Sequence, residues 1–456
     1  MEFRIANDGD TKAVKRLWDY CFETEDTPFF KYYFEKAYEP EHTLVGYENE
    51  TLASMVHLRQ YNLDVRGAIL PISYMVGVAT DPIARRGGIG GRLLKHSLEE
   101  LRSRKQGLTI LMPSKAAFYQ QYGWDLYAHQ WVQTLPLDEL RPLTDKTMEF
   151  GLLEDVSEWT LLAPVYEAYT KNTSGHAVRG EAEWTRLLES LFAEGVRVAY
   201  VRGPAPMGEA TQVGSHSKKG QWGGTREASQ QAGATTGAGQ WAPIEGYAMY
   251  RLGDSEIPVT EFIYTTRRAQ RGLLNYFYNH RSQGHTLRWN EGLKDESYIF
   301  HPDGKAGHTT MPFMMSRIVD VPLAVSQVPV NEGAAKDLLE SGQSSWQMRV
   351  IDPLAEWNDQ VFSFQLVKTS EEAAMDMTHG EGAIRLTAEA IVDSDAVGKP
   401  ILTITVGALS LLLMGRMTAS ELLFEGKLEV SSEGAPLVKA LDALYPKVHT
   451  FINEWW

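Results

Sequence analysis

Four glycines crowd one strand-to-helix junction. Arg85, Arg86, Gly87, Gly88, Ile89, Gly90 and Gly91 follow the apolar run MVGVAT and open an amphipathic stretch. Glycine disfavours a helix interior by about 1 kcal/mol relative to alanine, so the cluster marks a place that needs bare main chain. The first four N–H groups of a helix have no internal partner, and the helix dipole adds partial positive charge there. Glycines at the spacing Arg85-x-x-Gly88-x-Gly90 let a phosphate approach those N–H groups, and the arginines add charge and donors. A pyrophosphate suits that chemistry. The same spacing also suits a turn that only closes strand to helix. Gly-x-x-x-x-Gly-Lys-Ser/Thr is absent, as are Gly-x-Gly-x-x-Gly and an acid placed for a ribose hydroxyl, which argues against P-loop ATP and NAD.

Further candidates are fewer. The stretch CFETEDTPFFKYYFE (21–35) mixes acids with aromatics; Glu23, Glu25 and Asp26 either line a cleft for a polycation or form a solvated surface. Twelve histidines show no metal-ligand spacing, and neither His-Glu-x-x-His nor a Ser-His-Asp pattern is present, so no metal is expected. Cys21 is the single cysteine, which excludes an intramolecular disulfide and a cysteine-based zinc site and makes a cytoplasmic location the simplest expectation. A net charge of −15 argues against nucleic acid and fits either a cationic ligand or plain solubility. MEFRIANDGD shows no signal peptide. The most apolar run, 401–415, is shorter than the ~20 residues of a membrane helix and reads as a buried strand entering a short helix.

The elements that must hold these residues fall into three blocks. Residues 1–145 read as a strand, a helix with Val14, Leu17 and Trp18 on one face, and a meander of strands. The glycine turn with its helix to about Arg104 follows, then an uncharged and therefore central strand LTILMPS (108–114), a short helix and a last strand. Residues 146–310 repeat that order loosely. Their arginine-rich turn TTRRAQRG keeps only Gly272, which suggests a duplicated and chemically degenerate copy. Within it, 203–243 has almost no apolar surface to bury and is expected to be an unstructured insertion. Residues 311–456 read as a mixed sheet with helices and stop on two tryptophans, an ending that suggests a packed terminus.

Two segments in order, Pro82-Ile83-Ala84-Arg85-Arg86-Gly87-Gly88-Ile89-Gly90 and Phe118-Tyr119-Gln120-Gln121-Tyr122-Gly123-Trp124, resemble the pyrophosphate turn and the downstream Phe-Tyr-x-x-x-Gly-aromatic segment of the GNAT acetyltransferase superfamily. The whole-chain plan resembles the enhanced intracellular survival (Eis) acetyltransferases of bacteria, with SRIVDVPLA, LSLLLMGRMTASELLFEGKLEV and the aromatic C-terminus as the matching pieces of the third block. The resemblance implies an α+β chain: tandem GNAT folds with mixed central sheets flanked by helices, 1–145 active and 146–310 degenerate, then a sterol-carrier-like α+β domain at 311–456. It implies acetyl-CoA as co-substrate, held by the main chain of Val76 and Val78 where strand 71–80 splays from 108–113, and by Arg85, Arg86, Gly87, Gly88, Gly90 and Gly91. It implies Tyr119 as general acid, with Tyr122 the alternative, and the C-terminal carboxylate of Trp456 as general base. Acceptors would be amines of a small molecule or a peptide (an aminoglycoside, a polyamine or lysine), and the assembly a hexamer. Eis relatives can carry an acid just before the last residue; here that position is Trp455, and Glu454 lies one further back. Protein-lysine acetylation, and binding of a lipid or other apolar ligand by the third block, are the alternative functions.

Overall fold

The computed structural model describes residues 1–85, 87–203, 242–300, 307–368, 383–391 and 402–455. Arg86, Trp456 and, from 204 to 241, the expected insertion therefore lie outside the described residues.

The first half carries strands Glu2–Ile5 (β1), Thr43–Glu48 (β2), Thr51–Val65 (β3), Ala68–Thr80 (β4), Leu108–Leu111 (β5) and Asp125–Pro136 (β6). Its helices are Thr11–Cys21 (α1), Pro28–Tyr32 (α2), Ile89–Ser103 (α3) and Ala116–Gln120 (α4). The second half carries Glu149–Leu152 (β7), the short strands Thr173–Ser174 (β8) and His176–Ala177 (β9), then Arg197–Arg202 (β10), Ile244–Tyr250 (β11), Glu256–Tyr264 (β12), Thr286–Gly292 (β13) and His308–Ile318 (β14). Trp159–Thr170 (α5), Glu181–Ala193 (α6) and Arg267–Tyr278 (α7) are its helices.

One sheet spans both halves, in the order β1-β2-β3-β4-β5-β14-β6-β13-β12-β11-β10-β7. Each half contributes five strands in the same order, antiparallel except for the last pair, β4–β5 in one and β12–β13 in the other. The halves then exchange their final strands: β14 pairs with β5 and β6 pairs with β13. The shared order supports the duplication read from the sequence. Residues 311–318, expected at the head of the third block, form the end of β14 inside this sheet. All four residues of β5 are buried, as their lack of charge predicts for a strand covered on both faces. On α3, Ile89, Leu93, Leu94, Leu98 and Leu101 form the apolar stripe that seats the helix on the sheet.

A second, mixed sheet follows, with strands Ser345–Ile351 (β15), Val361–Lys368 (β16), Ile384–Ala390 (β17), Leu402–Thr405 (β18) and Leu428–Val430 (β19) in the order β17-β16-β15-β18-β19. Strand β18 runs straight into helix Val406–Met414, as 401–415 predicted. Thr405 caps that helix, every residue of it is buried, and Gly415 ends it at φ +84°. It packs across β14 and β6, with Ser410 Oγ 2.7 Å from Ser316 Oγ. The apolar run therefore docks the third unit onto the exchanged strands.

A buried ion pair ties the same units together. Arg317 on β14 and Asp352 after β15 are both fully buried, 2.6 Å apart. The Arg317 guanidinium also donates to the carbonyl of Tyr122 at 2.9 Å and lies 4.9 Å from the ring of Trp124. Removing one partner of a buried pair strands the other charge, at a cost of about 3–5 kcal/mol. Asp352→Ala is expected to destabilise the protein by that amount in chemical denaturation; a loss below about 1 kcal/mol would show that the pair holds nothing in place.

Candidate active site

Strands β4 and β5 are paired only from Ser73/Thr109 to Met75/Leu111. Directly after Val76 comes a bulge: Gly77 has φ +61°, and a Cβ there would lie 2.5 Å from Trp18 Cζ3. Only glycine satisfies both demands. The bulge turns β4 away from β5, and the segments Val76–Val78 and Met112–Ser114 line the cleft that opens between them, about 560 Å³ in volume.

Beyond β4 the chain makes a short turn, fixed by Asp81 Oδ1 accepting from Ile83 N–H at 2.9 Å, and enters α3. Gly88 is the N-cap residue, at φ +69°, and offers no capping side chain. A Cβ at Gly88 would meet nothing within 4 Å, and one at Gly87 nothing nearer than 3.9 Å. Gly90 and Gly91 serve a different purpose: a Cβ would lie 3.1 Å from Phe118 Cζ at the first and 2.8 Å from Tyr122 Oη at the second. Two glycines thus leave the helix mouth open, and two let α3 seat against the aromatic segment. A groove of about 410 Å³ runs over Arg85, Gly88, Gly90 and Gly91 and shares Val78, Ser114 and Tyr119 with the cleft. Arg85 is exposed, its Nε donating to Thr80 O at 3.1 Å. The open main chain at Gly87 and Gly88 and the splayed strands fit a pyrophosphate on an extended arm, on geometry alone.

Tyr119 sits on α4 where groove and cleft meet, 6% exposed, and burial pushes its phenol up to about 12. Tyr122 packs its ring on Gly91 and Phe118. Glu23 lines the cleft and accepts from Thr27 Oγ1 at 3.0 Å. Glu25 and Asp26 are exposed and do not line it: the main-chain N–H of Glu25 donates to Asp19, and the Asp26 carboxylate accepts from Thr24.

The C-terminal segment reaches the same cleft. Residues 449–450 pair with β8, and Asn453 links Gln130 on β6 (2.8 Å) to Glu261 on β12 (2.9 Å). Glu454 is buried and pairs with Arg179 at 2.8 Å, while Arg179 also binds Glu261 through two bonds of 2.8 Å. Burial alone would raise the Glu261 carboxyl; the Arg179 guanidinium overrides it and holds it below the usual range. Trp455 packs against Phe313 with the rings tilted by 55°, at 4.7 Å between ring centres, and lines the cleft. Sequence reasoning missed Arg179, Glu261 and Asn453, which no local pattern marks, and the segment 311–313 of β14, which reaches the first half's cleft only through the strand exchange.

Residues 2–127 match one acetyltransferase (GNAT) domain family, residues 216–318 match another, and residues 321–453 match the sterol carrier protein domain. The chain carries two GNAT acetyltransferase domains. It is an acyl-CoA-dependent N-acetyltransferase with tandem GNAT domains, and its plan is Eis-like. Three solved structures, each aligned over 100% of both chains, share that plan. One is a conserved protein of unknown function from Enterococcus faecalis V583, described as a probable N-acyltransferase (18% identity, TM-score 0.74). The others are a GCN5-related N-acetyltransferase from Anabaena variabilis ATCC 29413 (15%, 0.73) and Eis1 from Mycobacterium abscessus (17%, 0.65). At these identities the likeness is one of fold. No protein of curated function matches the chain in sequence.

The second GNAT domain shows what a closed version of the site looks like. The N-terminus of α7 is capped from within, Thr266 Oγ1 accepting from Ala269 N–H at 3.1 Å. Gly272 persists because a Cβ there would lie 2.7 Å from Met148 Cγ. Pairing of β12 with β13 stops at Val259/Trp289, and the diverging ends are bridged by Tyr264 and Glu291. Gln270 Nε2 donates to Glu291 at 2.8 Å and to Ser297 at 3.0 Å, and Arg267 pairs with Asp295 at 2.8 Å. Side chains thus fill the space that stays open beside β4.

Burial, reinforced by the Asp295 charge, pushes the Glu291 carboxyl up to about 8. Its folded value lies above the unfolded value of about 4.3, so the folded state keeps a proton that the unfolded chain releases. Stability is expected to fall as pH rises from about 4.5 to 8. Thermal unfolding of Glu291→Gln should lose much of that slope; an unchanged slope would remove Glu291 as its source.

Proposed function

We propose that the enzyme transfers acetyl from acetyl-CoA to the amino group of a small-molecule or peptide acceptor by direct attack within a ternary complex. The observation that carries this reading is the meeting of open groove and cleft at one buried phenol, Tyr119. The residues assigned to the donor are the main chain of Val76 and Val78 for the extended arm, and Gly87, Gly88, Gly90 and Gly91 with Arg85 and Arg86 for the diphosphate. Acetyl-CoA supplies an activated thioester.

In the transfer, a bond forms from amine nitrogen to acyl carbon and the carbon–sulfur bond breaks. Starting from the ammonium, two protons leave the nitrogen, one to the base before attack and one as the amide forms, and the departing thiolate takes up one. A phenol held near 12 stays protonated at neutral pH, so Tyr119 can donate its hydrogen bond and proton to that sulfur. The main-chain carboxylate of Trp456 is assigned as base. Supporting this, Trp455 lines the cleft, and Glu454, the acid nearest to the terminus in sequence, is engaged by Arg179. A terminal carboxyl ordinarily titrates near 3.3–3.7 and is a weak base at neutral pH. The apolar cleft eases its task, because desolvation lowers the pKa of an entering ammonium. A hexameric, cytoplasmic enzyme belongs to the same reading; light scattering that gives a smaller particle would remove the hexamer from it.

Tyr119→Phe is expected to lower kcat by about 10²-fold while acetyl-CoA affinity holds; an unchanged kcat rejects the acid. Deleting Trp456, or extending the chain past it, should cost at least about tenfold in kcat, and a fully active extended enzyme would take the carboxylate out of the mechanism. Gly87→Ala places a methyl group at the open helix mouth, without the strain that a positive φ would impose, and should raise the KM for acetyl-CoA roughly tenfold, against little change with the acceptor.

A further inference from the structure

The acceptor side of the cleft is poor in charge. Among the described residues that line it, Glu23 is the single charged side chain. Around it stand Trp18 and Phe22 of α1 and its C-terminal end, Phe29 of α2, Phe313 of β14 and Trp455 of the C-terminal segment. Trp18 and Phe22 lie 4.9 Å apart and Phe313 and Trp455 4.7 Å apart, so the rings come as two pairs. Phe22 and Trp455 remain 48% and 42% exposed, which leaves aromatic faces open to an occupant.

A polycation fits such a lining badly. Every ammonium taken from water into apolar surroundings needs a carboxylate or several acceptors, and a ring face compensates only part of that loss. Glu23 can serve one ammonium. The neighbouring chamber, which shares Phe29 and Trp455 with the cleft, offers no second acidic site. It is lined by Arg59, Arg179 and Arg186 against Glu183 and Glu454, and both of these acids already pair with arginines. A long polyamine or an aminoglycoside reaching past Trp455 would meet guanidinium groups.

We propose that the acceptor is a mono-amine carried on a flat apolar body, seated among these rings with Glu23 as the one side-chain carboxylate that draws in its ammonium. The proposal rests on the N-acetyltransferase reading and narrows its acceptor. It reconciles the weak base with the chemistry: an apolar site that holds one amine also lowers that amine's pKa, so that little force is needed to remove its proton.

The test is thiol release by the full-length enzyme at saturating acetyl-CoA, with phenethylamine and tryptamine set against spermidine, kanamycin and a lysine peptide. The aromatic amines are expected to exceed the polycations in kcat/KM by at least about tenfold, the effect of burying one ring. Phe22→Ala should raise the KM for phenethylamine several-fold and leave the KM for acetyl-CoA unchanged. Glu23→Gln should lower kcat/KM for every amine about tenfold. Higher kcat/KM with spermidine, kanamycin or the peptide overturns this inference and leaves the N-acetyltransferase reading standing. Acetyl-CoA binding by calorimetry without turnover of any amine overturns both.

Discussion

The site depends on the early end of one strand pair. β4 and β5 stay together from Ser73 to Met75, and the bulge at Gly77 then parts them. Beyond the break β4 keeps β3 as its neighbour, while β5 ends at Leu111 and β14 continues along β6. The cleft opens without unravelling the sheet. The same event brings the first turn of α3 to one end of the opening and Tyr119 to its edge. Trp18 fills the hollow above Gly77 and joins the conformational requirement for glycine to the aromatic wall of the cleft.

The second half is more than a spent copy. Its last strand lies between β5 and β6, and its acid Glu261 anchors Arg179, which in turn holds Glu454. The C-terminal segment is thereby fixed by a buried cluster that draws on β6, β12 and the loop before α6. A buried charge cluster is a costly way to gain stability, and its clearest use is to specify position. Here it specifies where Trp455 enters the cleft. The filled second site and the open first one differ at the helix mouth as well: a threonine hydroxyl caps α7 where a bare glycine begins α3.

Much of this was legible in the sequence because its causes are local. The glycines stand out at positions 87–91 because helix chemistry penalises them there, and the uncharged strand 108–111 is central for the same reason that it lacks charge. The meander of β2, β3 and β4 follows from successive apolar runs joined by short turns. What stayed hidden is long-range. No pattern at residues 311–318 reveals that they cross into the first half, and Arg179 is one arginine among many until Glu261 and Glu454 converge on it. Glu23, Glu25 and Asp26 looked alike in sequence; only the fold of α1 and α2 separates Glu23, which faces the cleft, from its two exposed neighbours. The four glycines divided in a similar way, since whether one serves a ligand or a neighbouring ring depends on Phe118 and Tyr122, some thirty residues away.

The contrast between the two helix mouths provides its own control. Amide hydrogen exchange, measured with and without coenzyme A, reads Gly87–Gly91 and the equivalent first turn of α7 in a single experiment. Slowed exchange at Gly87–Gly91, with Arg267–Gln270 unaffected, is the predicted result. Equal protection of both turns, or protection of the second alone, would contradict the account.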